Sequence, residues 1–276
     1  MDIFDRIVCG VDPPNGVGLE ALRQAKRLLA PGGRLVAVTV YDWSVAIHAG
    51  WDSAALAAEL AEEAESARAK ARTELEAIGN SAVRLVEGSP FERILEEADR
   101  EQATLIAVGT HGHRRLPGIL LGSVTTRLLH DAPCPVLVAR PVSDVDRFPR
   151  SIVVGLDGSP PSLEALEVAR DLAARLDARI RPLVAAGGKP ADIDLLRDVG
   201  ALEWNDDAEP VDALVAASAE ADLVVVGSRG LHGLGSLGSV SERIAHKAAC
   251  SVLVVRPLVL GGRPTRAFED APAHVR

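Results

Sequence analysis

The sequence predicts an α/β fold built twice: two tandem doubly wound domains, each with a mostly parallel five-stranded sheet sandwiched by helices. Three observations predict it. Short runs such as Leu223-Val-Val-Val-Gly227 are apolar at every position, so a strand made from one must be covered on both faces. These runs alternate with segments of helical pattern, the order that produces parallel strand–helix–strand units. The third observation is that the chain repeats itself.

The repeat is read from four matches in the same order. Arg6-Ile-Val-Cys-Gly-Val-Asp12 corresponds to Arg150-Ser-Ile-Val-Val-Gly-Leu-Asp157, each a β-branched run ending in Asp. Leu105-Ile-Ala-Val-Gly-Thr-His-Gly112 matches Leu223-Val-Val-Val-Gly-Ser-Arg-Gly230, and Leu121-Gly-Ser-Val-Thr125 matches Leu237-Gly-Ser-Val-Ser241. Ala132-Pro-Cys-Pro-Val-Leu-Val-Ala-Arg-Pro141 matches Ala248-Ala-Cys-Ser-Val-Leu-Val-Val-Arg-Pro257. The offset falls from 145 at the aspartates to 118 at Gly109/Gly227 and 116 at Cys134/Cys250. The second copy is therefore shorter in its middle, where an Ala/Glu-rich helical stretch near Asp52–Ile78 is replaced by a short segment near Ala191–Val199.

In the first copy, strands are predicted over 6–12, 34–41, 82–87, 104–109 and 134–140, and helices over 17–30, 52–78, 90–101 and 122–131. The second copy repeats the strands over 151–157, 179–186, 200–204, 222–227 and 251–256. Pro, Asp and Ser between Pro141 and Pro149 break the pattern, which bounds the domains at 1–141 and 150–257. Residues 258–276, rich in Gly, Pro and Arg, are expected to be a mobile tail.

Composition narrows the function. The 276 residues are 47% hydrophobic, enough for two cores, and aromatics are only 3%, too few for a base-stacking platform. A net charge of −9 disfavours nucleic-acid backbones while leaving room for one local phosphate site. Cys9, Cys134 and Cys250 form no C-x-x-C pair and read as buried small hydrophobes in a reducing cytoplasm. The first residues lack the basic and apolar regions of a signal peptide, and no apolar run approaches the roughly 20 residues of a membrane span.

The repeated motifs lie at strand C-terminal ends, where doubly wound folds bind ligands. After the fourth strand comes Gly109-Thr-His-Gly112, nine residues, then Gly122-Ser123 opening a helix. Glycines let backbone approach a ligand, and the free amides and dipole of a helix start favour phosphate. The hydroxyls of Ser123 and Thr125 are expected to add donors.

With these residues in this order, the chain resembles the universal stress protein family, whose nucleotide-binding members carry G-x2-G-x9-G-(S/T). Residues 109–123 match that pattern without a gap, and the strand-one Asp and Pro-Val-Leu-Val strand match as well. The resemblance covers the whole chain as a tandem pair and implies an adenine nucleotide alpha-hydrolase-like fold. It implies a non-catalytic stress or signalling protein that binds ATP, alone or with Mg2+, or else AMP or ADP, with at most slow hydrolysis. It also implies pairing of the strands 135–140 and 251–256, as an intrachain pseudo-dimer or in a homodimer. By the same resemblance Val11, Asp12 and Val40 line the base and ribose pocket, and Gly109, Gly112, Gly122, Ser123, Val124 and Thr125 hold ribose and phosphates.

In the second copy the matching positions are Asp157, Gly158, Ser159, Gly227, Gly230, Gly238, Ser239, Val240 and Ser241. Each copy departs from the pattern. Pro13-Pro14 follow Asp12 and remove an N–H, and only seven residues separate Gly230 from Gly238. The first copy is the expected site.

Alternatives remain open on the residues alone. Gly16-Val-Gly18-Leu-Glu-Ala21 with Asp42 has the spacing of a dinucleotide fingerprint, although four residues separate it from the strand. Gly233-Leu-Gly235-Ser-Leu-Gly238 is another such pattern, placed in the shortened loop. A nucleotidyl-transfer enzyme, or a scaffold that binds no nucleotide, fits the same architecture. His111 and His113 read as a solvated loop, His130 and His246 as residues at helix C-terminal ends, and Glu59–Arg72 as an exposed charged helix face. Trp43, His48 and Trp51 either cap the pocket or pack that helix.

Overall fold

The computed structural model describes residues 3–11, 17–41, 53–76, 79–110, 121–185, 203–205, 208–228, 239–256, 259–260 and 263–264. The first half consists of β1 (Arg6–Gly10), α1 (Val17–Leu28), β2 (Arg34–Tyr41), α2 (Ser53–Leu75), β3 (Ser81–Glu87), α3 (Pro90–Arg100), β4 (Leu105–Gly109), α4 (Ser123–Asp131) and β5 (Val136–Ala139). The second consists of β6 (Ser151–Leu156), α5 (Pro160–Leu176), β7 (Arg179–Ala185), β8 (Glu203–Asn205), α6 (Pro210–Ser218), β9 (Leu223–Gly227), α7 (Ser239–Lys247) and β10 (Ser251–Val255). Every strand read from the sequence is present, with ends within three residues of those expected. The short segment expected at 191–199 lies outside the described residues.

The ten strands form one sheet, in the order β3-β2-β1-β4-β5-β10-β9-β6-β7-β8. Within each half the neighbours are parallel and the order is the same. The halves meet where β5 and β10 pair antiparallel, with Val138 opposite Val252, Leu137 opposite Leu253 and Val136 opposite Val254. This is the pairing of the last strands that the resemblance implies, and it makes the two five-stranded sheets continuous.

Side chains alternate across a strand, so each apolar run feeds two cores. Ile7, Cys9, Leu105, Ala107, Leu137, Leu223 and Leu253 share one face with α1 and α5. Val8, Ile106, Val108, Val136, Val224 and Val252 share the other with α3, α4, α6 and α7. Both cores cross the seam. Helix α3 shows how local sequence sets this up: Pro90 starts it, and Phe91, Ile94, Glu97 and Ala98 fall on its buried face at helical spacing.

The boundary stretch 141–149 packs onto the first half: Phe148 is buried in the core beneath α1, and its carbonyl accepts from Arg27 Nε at 3.3 Å. One expectation about the connecting segments needs correction. The segment after β10, expected to lack structure, carries a short antiparallel ladder between β11 (Val259–Leu260) and β12 (Arg263–Pro264). Residues 265–276 lie outside the described residues.

At the strand N-terminal edge, Arg34 grips Glu101 with Nε–Oε2 at 2.6 Å and Nη2–Oε1 at 3.0 Å. This fork holds the Glu101 carboxyl below the ordinary carboxylate range. A depressed carboxyl contributes stability that is present above its unfolded pKa and is lost as pH falls through the folded one. Glu101→Gln is therefore expected to cost about 1 kcal/mol at pH 7 and to narrow its deficit in strong acid. Melting temperatures of both proteins at pH 7 and near pH 3 test this; a deficit that does not shrink in acid would refute it.

Candidate functional site

The order 3-2-1-4-5 makes the boundary between β1 and β4 the topological switch point, because α1 leaves to one face and α4 to the other. Cys9 is in register with Ala107, so Val11 stands level with Gly109, one interstrand spacing away. The Val11 side chain is buried in the core and its N–H donates to Val38 O at 2.9 Å, so it is the main chain that reaches the edge. Val40 stands half-buried near the end of β2. Asp12 lies outside the described residues.

The glycine segment converges on the same edge. Gly122 N–H donates to Thr110 O at 2.7 Å, which brings the two ends of the 111–120 segment together. Residues 111–120, with Gly112, His111 and His113, lie outside the described residues. Gly122 caps α4 with φ −72 and ψ 156 and offers no capping side chain. The first intrahelical bond is Thr126 N–H to Gly122 O at 2.9 Å, so the amides of Ser123, Val124 and Thr125 form the open first turn. Ser123 is exposed and Val124 half-buried at this positive helix end.

Thr125 differs from the expectation that it donates to a ligand. Its side chain is buried, and its hydroxyl donates to Gly109 O at 2.8 Å. It ties α4 to the end of β4. Ser241 does the same in the second half, donating to Gly227 O at 2.8 Å. The hydroxyl that sequence spacing could not distinguish from Ser123 is an internal brace.

The second half is built on the same plan with its polar groups engaged. Ser159 donates to Asp157 Oδ1 from its N–H at 3.0 Å and from its hydroxyl at 2.5 Å, while Gly158 takes the positive φ of +77. Ser162 Oγ donates to Ser159 O at 2.8 Å and accepts from Asp157 N–H at 3.4 Å. The backbone of Pro161 lies against Gly227 so closely that a methyl group there would overlap its carbonyl. Val240 is half-buried in α7, and Ser239 opens that helix. Gly230, Gly238 and the Gly233–Gly238 pattern lie outside the described residues, as does the side chain of Ser239.

Other sequence candidates can be placed as well. Gly18 lies inside α1, in its first turn, rather than in a turn ahead of the helix as a dinucleotide fingerprint needs; Gly16 and Asp42 are outside the described residues. His130 and His246 occupy the last turns of α4 and α7, and His130 Nε2 is 3.6 Å from Glu242 Oε1 across the halves. The charged face of α2 shows an i,i+3 pair, Arg68–Glu65 at 3.3 Å. Trp43, His48 and Trp51 lie outside the described residues. Among the described residues no cluster of His, Cys, Asp or Glu is placed to hold a metal ion, and no helix is long and apolar enough to cross a membrane.

The three thiols are buried, and desolvation pushes Cys134 and Cys250 up to about 12 and Cys9 higher, so none is a ready nucleophile. Sequence reasoning missed Glu164, in the first turns of α5, which burial pushes up to about 7. It also missed Arg140 and Arg256, buried at the seam. The signal for the arginines was there: both copies end in Arg-Pro at the same offset.

The profile of the universal stress protein family matches residues 3–140 and 195–256. The unmatched stretch contains β6, α5 and β7, which occupy the places of β1, α1 and β2 in the repeated strand order. A universal stress protein of Mycobacterium tuberculosis is 34% identical over 185 residues, covering 56% of this chain and 62% of that protein. The chain thus spans less than two thirds of that relative's length. A universal stress protein of Methanocaldococcus jannaschii is 33% identical over 143 residues, half of this chain and 84% of that one. The crystal structure of a universal stress protein from Archaeoglobus fulgidus superposes with a TM-score of 0.68 at 23% identity, covering 91% of this chain and 98% of that one. At that identity the likeness concerns the fold.

Proposed function

The chain belongs to the universal stress protein family, and from that premise we propose that its first half binds ATP and serves in stress response or signalling without rapid turnover. The observation that carries the reading is the convergence of Gly109–Thr110 with the open first turn of α4 at the β1/β4 switch point. Main-chain amides and a helix's positive end are the donors a phosphate chain requires, and Ser123 adds an exposed hydroxyl. Gly112 and Asp12 complete the set in sequence. Mg2+ would enter with the phosphates; ADP or AMP would use part of the same cradle.

The second half is the weaker site in this reading. Asp157 Oδ1 is engaged by Ser159, Pro161 closes on Gly227, and the loop is two residues short. Intrachain pairing takes the place of a homodimer through the last strands, since β5 and β10 each have neighbours on both sides. Three buried free thiols fit a cytoplasmic setting.

Calorimetry with ATP, AMP and NAD tests the assignment, with mass spectrometry of the purified protein for carried-over nucleotide. ATP is expected to bind at a stoichiometry near one. Preference for NAD, or fast release of ADP, would point to an enzyme; no binding of any of the three would leave a scaffold acting through protein contacts.

A further inference from the structure

The two buried arginines are exchanged between the halves. Arg140 follows β5 in the first half, yet its guanidinium donates to Ala245 O at 2.5 Å, Cys250 O at 3.2 Å and His246 O at 3.4 Å at the end of α7. Arg256 follows β10 in the second half and donates to Leu129 O, to Ala132 O at 2.5 Å and to His130 O at 3.3 Å at the end of α4. Both side chains are more than nine-tenths buried, and both hold carbonyls at the negative end of a helix, where a cation is favoured. Antiparallel pairing of β5 with β10 produces the exchange, since it carries each strand's last residue past the other half's final helix.

Helix α4 has its open first turn at the candidate phosphate site and its last turn in the grip of Arg256. The helix's nine residues separate the two by only about 13 Å, with Thr125, Leu128 and Leu129 on its buried face. We infer that Arg256 is a positioning residue for the nucleotide of the first half: the second half supplies the charge that fixes and polarises the helix on which the phosphates rest. Arg140 is its counterpart for α7. This inference rests on the nucleotide reading above.

The molecule contains its own control. Arg256→Gln and Arg140→Gln disturb equivalent contacts, but only the first acts on α4. In the full-length chain, Arg256→Gln is expected to weaken ATP binding by about three- to tenfold while leaving adenosine, which lacks phosphate, unchanged. Arg140→Gln is expected to leave both ligands unchanged, and Arg256→Lys to retain ATP within about twofold because the charge is kept. Equal losses in the two Gln variants, or equal losses for ATP and adenosine, would reduce Arg256 to a structural brace and overturn the inference. Should Arg256→Gln fail to fold, hydrogen exchange on the unaltered chain decides. ATP, and not adenosine, must slow exchange over Leu128–Ala132 and leave Ile244–Ala248 unchanged; equal rates at both helix ends refute the inference. If the unaltered chain binds adenosine and ATP equally, or neither, the nucleotide reading itself fails, and this inference with it.

Discussion

Gly122→Val is expected to weaken ATP binding by at least about 100-fold while leaving the protein folded. The backbone at Gly122, with φ −72 and ψ 156, is ordinary extended geometry that any residue adopts. Conformation therefore does not demand glycine there; in the nucleotide reading, the phosphate needs the space. A β-branched side chain at the cap stands before the first-turn amides and displaces a phosphate from them. Loss of two charge-assisted bonds of roughly 1.5–3 kcal/mol each accounts for a factor of 100 or more. The substitution exchanges an acceptable N-cap for a poor one, which costs about 1 kcal/mol of stability. Calorimetry and a melting curve on one preparation separate the two effects. Undiminished affinity in a variant that melts normally would move the site to the second half or abolish it.

Gly227→Ala is expected to act the opposite way, on stability, by about 3 kcal/mol or more. The added methyl would overlap the main-chain carbonyl of Pro161, and backbone at the start of a helix cannot turn aside as a side chain can. Moving it would displace α5 from β9 and disturb the core shared by Leu166, Val225 and Ala169. Gly155→Ala provides the comparison. Its nearest obstacle is the Leu214 Cδ1 methyl at 2.9 Å, which a small side-chain adjustment relieves at about 1 kcal/mol. In a chain of this size each kcal/mol moves the melting temperature by about 2–4 °C, so the two variants should melt several degrees apart. Coincident melting curves would show that the Pro161 contact is relieved at no cost.

Gly122 and Gly227 also show what sequence reading can separate and what it cannot. Both stand in repeated motifs that the resemblance assigns to the ligand. Only the placement of Pro161, 66 residues before Gly227, marks the latter as a packing requirement. Ser123 and Thr125 divide in the same way. They lie two positions apart on one helix turn, so one faces solvent and the other turns inward to Gly109 O. The spacing G-x2-G-x9-G-(S/T) ends at Ser123, and nothing local in the sequence marks Thr125 as turned the other way. Strand positions were easier, because a run such as Leu105-Ile-Ala-Val, apolar at every position, has few places to go but the middle of a covered sheet.

Buried polar contacts at the seam were the least legible. Gln24, fully buried, donates to Arg140 O at 2.6 Å and accepts from Ser251 Oγ at 2.7 Å, joining three segments of the chain. In sequence it is one more polar residue on an amphipathic helix. Glu97 likewise reads as a surface acid, yet it is buried between Arg84 at 3.3 Å and Arg100 at 2.7 Å. Neither carries a local signature, because the partners that make its burial tolerable come from other elements.

Local patterning was sufficient for the duplication, the strands and most helices, and for the edge of the sheet on which a ligand would sit. Those properties follow from periodicity and turn chemistry within a few residues. Three-dimensional packing alone decided that each half's last arginine closes the other half's final helix, and which hydroxyl of the first turn of α4 faces outward. Each of these depends on desolvating a polar group against a partner on another turn, another strand or the other half of the chain. No short-range pattern encodes where such a partner will be.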